Sequence, residues 1–154
     1  MNDKELTRLI RTLCRRVAPH VEVVLSRAET PKSKYSFDGK TLKATGKGLA
    51  SKLHDVVHLL LASPKRRHAV EYGLGVDPYR DSDAECTVPL ANDEEGYVCA
   101  LQYALLLAID RPKDAQRVAK ELCMQELPDG AEILSIQKYR RDALPETWWK
   151  RCIE

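Results

Sequence analysis

The stretch that most constrains this chain is LHDVVHLLLA, residues 53–62. Leu53, Val56, Val57, Leu60 and Leu61 recur at the spacing of a buried helical face, and a helix is predicted over residues 49–62. Whatever fold forms must enclose it. Two histidines, His54 and His58, stand four apart on this helix, with Asp55 directly after the first. Residues i and i+4 share a face, about 5–6 Å apart. Two imidazoles therefore leave one rigid platform in the same direction. Burying them without partners is costly, and the chain has only four histidines in all.

The order His-Asp-x-x-His matches the zinc-protease pattern H-E-x-x-H with aspartate in the glutamate position. In that pattern the imidazoles ligate a metal and the acid takes a proton from metal-bound water. The bland alternative is a core helix with two satisfied histidines. A metal site needs a third ligand, and the downstream candidates are Glu71, Asp77, Asp81, Asp83, Glu85, Asp93, Glu94 and Glu95. Glu94 and Glu95 are expected to begin a rigid apolar helix, where a carboxylate can point inward or simply favour the helix dipole. Periodicity does not choose between them. Glu94 heads the row Val98, Leu101, Leu105, and Glu95 heads the row Cys99, Gln102, Leu106.

The rest of the chain predicts α+β architecture with a small antiparallel sheet. A first helix is capped by Asn2 or Asp3 and runs to about Val17, with Leu6, Leu9, Ile10, Leu13 and Val17 on one stripe. Residues 21–28 read as a strand. Residues 34–44 alternate around Asp38-Gly39, a hairpin-turn pair, with Tyr35, Phe37, Leu42 and Ala44 inward. Ser63-Pro64 opens a short helix to Val70. Residues 71–91 read as a long loop, and Asn92 or Asp93 caps a helix to about Ile109. Pro112 opens another to Cys123, and two further helices are expected near 131–141 and 145–152. Trp148 and Trp149 lie in the last of these.

One domain over residues 1–154 is expected, long enough to bury a real core. With 25 basic against 23 acidic residues, nothing in the balance asks for a nucleic-acid or membrane partner. The charged amphipathic start lacks the apolar run of a signal peptide, and no stretch reaches the ~18 apolar residues of a spanning helix. The expectation is a soluble cytoplasmic protein. Five scattered cysteines without a C-x-x-C pair predict reduced thiols, not a disulfide framework.

Residues 53–75 resemble the segment HE-x-x-HW-x-x-A-x-x-x-RR-x-x-x-D-[FY]-G of bacterial elongation factor P hydroxylases and their zincin-like relatives. The matching residues are His54, Asp55, His58, Ala62, Arg66, Arg67, Glu71, Tyr72 and Gly73. The likeness continues through Arg80 and Asp81 and resumes at Glu95, Ala100, Leu101, Gln102, Tyr103 and Pro112, covering roughly residues 50–112. Its register implies Glu95 as the third ligand beside His54 and His58, hence two histidines and one carboxylate around one divalent metal, iron or zinc. It implies hydroxylation of a modified lysine on a translation factor, with a minimal zincin-like fold. Asp55, Leu59 and Glu71 depart from the family's glutamate, tryptophan and aspartate.

Asp55 is therefore the candidate catalytic acid. Arg66, Arg67, Glu71 and Tyr72 are candidates to back the ligands or meet a protein or peptide substrate. Glu71 in particular could accept an N–H from a ligand histidine. The rival expectations are a zinc-dependent hydrolase of metallopeptidase type, or an interaction module that kept the metal fold without its chemistry.

Overall fold

The computed structural model describes residues 1–25, 35–44, 48–73 and 88–118. Helix α1 spans Asp3–Val17, as its stripe predicts. Asn2 caps it: the Asn2 side chain accepts from the Glu5 N–H at 3.0 Å, and the Asn2 N–H donates to the Glu5 carboxylate at 2.8 Å. This reciprocal box satisfies two otherwise orphaned donors. Leu6, Ile10, Leu13 and Cys14 face inward.

Strand β1 is Glu22–Val24 and strand β2 is Thr41–Lys43. The two pair in parallel, Glu22 with Thr41, Val23 with Leu42 and Val24 with Lys43. The expected antiparallel sheet is thus corrected to a parallel pair. The predicted turn does form. Asp38 Oδ1 accepts from the backbone N–H groups of Lys40 and Thr41 at 2.9 and 2.7 Å, and Gly39 takes φ +87°. Yet the hairpin it closes is a single antiparallel bridge, Phe37 to Leu42. The other side of β2 is taken by β1, whose direction depends on the long connection between them. Parallel pairing needs such a connection, and local alternation says nothing about its path.

Helix α2, Leu49–Leu61, lies at the centre and packs against α1, β2, α3 and α4. Helix α3 runs from Val88 to Ala108 and α4 from Pro112 to Val118. The expected cap at Asn92 or Asp93 is not where α3 begins; the helix starts earlier. Pro89 sits within its first turn, where a missing N–H leaves no bond unmade. The expected helix after Ser63-Pro64 is instead two 3₁₀ turns, Arg66–His68 and Val70–Gly73. The predicted strand beyond Leu25, most of the 71–91 loop, the end of the Pro112 helix and both final helices fall outside the described residues. No described helix is long and apolar enough to cross a membrane.

One core joins α1, the strands and α2–α4. Leu53, Val56, Val57 and Leu60 of α2 are sealed within it, with Leu6, Ile10, Phe37, Leu42, Leu101 and Leu106. Cys14 and Cys99 are both buried, and neither is in a disulfide. Arg67 closes the ends of two helices. Its guanidinium donates to the carbonyls of Leu59 and Leu60, at the end of α2, and of Val17, at the end of α1. Those carbonyls have no partner within their own helices.

Candidate metal centre

His54 and His58 leave α2 on its α3-facing side, one turn apart, with ring centroids 4.9 Å apart. Opposite them, α3 presents Glu94 and Glu95 from well inside the helix. The early start of α3 removes the reading in which these acids merely favour its N-terminal dipole, since that effect fades within the first turn. Glu95 meets both rings. One carboxylate oxygen is 3.1 Å from His54 Nε2, and the other is 3.0 Å from His58 Nε2. Among the described residues, His54, His58 and Glu95 form a group that could hold a metal ion, with donor atoms all within 4.8 Å of one another.

Behind the rings stand further polar groups. His54 Nδ1 is 3.1 Å from Gln102 Oε1, and the Gln102 amide donates from Nε2 to the Ala50 carbonyl at 2.7 Å. Gln102 is fully buried. His58 Nδ1 faces Glu94 Oε1 at 3.6 Å, too long for a hydrogen bond. That nitrogen is sealed from solvent with no hydrogen-bond partner. Glu94 is held from its other side by Arg66, whose two terminal nitrogens meet its two oxygens at 2.9 Å each.

Charge follows this layout. Burial alone would push the His58 imidazolium down, but the Glu94 and Glu95 carboxylates outweigh it and hold its pKa above the ordinary value. Burial alone would raise Glu95, yet the two imidazoles keep its carboxyl well below the usual carboxylate range. Glu94 is lowered too: burial opposes the change, and His58 and Arg66 drive it. Two imidazole nitrogens facing one ionised carboxylate call for positive charge between them, from protons or from a metal. The donor set, two imidazoles and a carboxylate, suits zinc or iron(II). His58 Nδ1 faces a carboxylate, the kind of group to which metal-ligating histidines donate their second N–H, at a distance longer than a hydrogen bond. The residues present fit a divalent metal.

A strained segment supports the site from below. Glu71 and Tyr72 have φ of +46° and +59°, and Gly73 has +79°. Left-handed backbone costs a side-chain-bearing residue roughly 1–2 kcal/mol. Three anchors hold it here. The Glu71 carboxylate accepts from the Ser36 N–H and hydroxyl and from the Phe37 N–H. Arg66 Nε donates to the Tyr72 carbonyl. The Tyr72 hydroxyl donates to the Asp55 carbonyl at 2.9 Å. The Tyr72 ring is thereby stacked between Phe37, centroids 4.7 Å apart, and His58, 5.4 Å apart. Burial, then the charges of Asp55 and Glu71, push the Tyr72 phenol far up, so it remains a donor.

The sequence candidates therefore separate. His54, His58 and Glu95 converge. Arg66 and Tyr72 back His58, one through Glu94 and one by stacking. Arg67 is committed to helix ends. Glu71 does not accept from a ligand histidine as anticipated; its oxygens are taken by the 36–37 backbone and the Ser36 hydroxyl. Asp55 is buried and lies outside the converging trio, on the side of Tyr72. Gln102 was missed as a functional residue. The available signal was a lone amide in an apolar run, two turns from Glu95 on the same helical row. No family model, curated protein or solved structure matches this chain.

Proposed function

We propose that this chain is a mononuclear metal-dependent enzyme of zincin-like design, resembling elongation factor P hydroxylases and acting on a side chain of a protein or peptide, a cytoplasmic translation factor by that resemblance. The observation that supports it is the convergence of two imidazole Nε2 atoms on one carboxylate from a separate helix. His54, His58 and Glu95 would hold one divalent ion, iron or zinc. When bound, it would supply Lewis-acid activation of water or, as iron, activation of oxygen. Arg66 holds Glu94 behind His58, and Tyr72 keeps the ring plane. Asp55 has the motif position of the proton-transferring acid, but its carboxylate is one C–C bond, about 1.5 Å, shorter than glutamate. A displacement of about 1 Å can cost on the order of a hundredfold in rate. Its burial beside Tyr72 favours a supporting part there over proton transfer in peptide hydrolysis, and so favours the hydroxylase reading over the hydrolase.

The test is anaerobic reconstitution with iron or zinc, followed by elemental analysis and assay on lysine-bearing translation-factor substrate. One iron per chain with oxygen-dependent hydroxylation is expected. One zinc with hydrolysis would replace this reading by the hydrolase. Failure to retain either metal, with folding unchanged in His54→Ala, would replace it by the interaction module.

A further inference from the structure

We propose that Gln102 and Glu94 are positioning residues that set the tautomer of each metal-ligating histidine, so that both Nε2 lone pairs are left for a metal ion held beside Glu95. This deepens the metal-centre reading and rests on it. At His54 the direction is set by a chain of bonds. The Ala50 carbonyl is acceptor-only, so the Gln102 NH₂ group must point to it. Gln102 Oε1 is then the atom that faces His54 Nδ1. An oxygen there requires the proton on Nδ1, which leaves Nε2 bare. Gln102 is fully buried, so its amide cannot flip without setting its oxygen against the Ala50 carbonyl oxygen, 2.7 Å from where Nε2 now lies. At His58 the same result comes from charge. Arg66 occupies both Glu94 oxygens and fixes the carboxylate. With a metal ion taking the Nε2 lone pair beside Glu95, the ring's one proton goes to Nδ1, where Glu94 Oε1 at 3.6 Å favours it over a bare lone pair.

The two supports differ in kind. His54 leans on a neutral amide and His58 on a carboxylate already neutralised by an arginine. The pair of imidazoles is thus oriented without adding net charge to the centre. Arg66 also holds the Tyr72 carbonyl, so the left-handed segment and the Glu94 carboxylate share one anchor.

The experiment uses the full chain labelled with ¹⁵N, prepared free of metal and then loaded with zinc alone. Long-range ¹H–¹⁵N spectra of the zinc-loaded chain should show Nδ1–H at both His54 and His58. Chelator competition should show Gln102→Met binding zinc ~10- to 100-fold more weakly than the parent chain, the usual loss when such a partner is removed. Gln102→Glu, which keeps an acceptor toward Nδ1 but loses the donor to the Ala50 carbonyl, should bind zinc more tightly than Gln102→Met. Should Gln102→Met not fold, Glu94→Leu against Glu94→Gln decides the matter at His58, with the leucine variant the weaker binder. Nε2–H tautomers in the parent, or equal zinc affinity in the acceptor-free variants, overturn the inference while leaving the metal centre standing. A parent chain that binds no zinc and no iron overturns both.

Discussion

Helix α2 has two faces that both pack against the rest of the molecule, one sealed and one partly open, and for different reasons. On one, Leu53, Val56, Val57 and Leu60 are sealed in the core. On the other, His54 and His58 meet the Glu94, Glu95 and Gln102 side chains of α3. Within the core, burial acts unopposed, and it pushes the Cys14 thiol up to about 12. On the histidine face the same desolvation is reversed by partners, and His58 ends above its ordinary value. An apolar face is stabilised by the water it excludes. A buried polar face is at best neutral unless every group is matched. The matching on the α3 side is close to complete, and the exception, His58 Nδ1, is the atom expected behind a metal ligand. The apolar face makes the fold; the polar face forms the group that could hold a metal ion.

The contrast can be broken by substitution. Leu60→Ala should lower unfolding free energy by about 2–5 kcal/mol in urea titration, since it leaves a cavity in the sealed face; a change under about 1 kcal/mol would mean that this face is not the core. Gly39→Ala comes next, at about 1–3 kcal/mol. Its Cβ would lie 2.6 Å from the His68 carbonyl at a φ of +87°, on the turn that braces the segment beneath His58. His58→Leu should cost no more than about 1 kcal/mol in the metal-free chain, because Arg66 still holds Glu94 and the Glu95 side chain is half exposed to water. It should nevertheless abolish stoichiometric zinc binding. A larger stability loss without loss of zinc would reverse the roles assigned to the two faces.

The smallest effect is with pH. His58 is raised in the fold, so its contribution is fully present below the unfolded value near 6.5 and is lost as pH rises through the folded value. Glu95 is depressed, so its contribution is present above the unfolded value near 4.5 and is lost as pH falls through the folded value. The metal-free chain should therefore be most stable between those two limits. Zinc competes with the imidazole proton, so the rise in Tm on adding zinc should grow from pH 6 to pH 8. A zinc shift that shrinks over that range would exclude His58 as a ligand.

Much of the candidate site was legible because it is local. Two histidines four apart on an apolar helix must share a face, whatever surrounds them. The helix itself was visible in its spacing, as was a cap of α1 at Asn2 or Asp3, of which the structure uses Asn2. Glu95 was not chosen by periodicity, which left Glu94 equal; only the resemblance separated them. In the structure both acids reach the histidines, one at the Nε2 side and one at the Nδ1 side of His58. The positions of Arg67 and Glu71 were invisible for a related reason. Their partners, Val17 and Ser36, are distant in sequence, and a charged side chain carries no sign of which backbone it will close.

What the sequence alone determined is most of the set of faces: the greater part of the residues of α1 and α2 that turn inward (not Leu59, which is sealed where Leu61 was expected), where Asp38-Gly39 bends the chain, and that two imidazoles point together. These follow from repeats of a few residues and from backbone sterics. What only tertiary structure decided is the parallel direction of β1 against β2, the early start of α3, and the meeting of His54, His58, Glu94, Glu95 and Gln102. Each depends on how segments dozens of residues apart are brought together, and the energy of that packing is not written in any one of them.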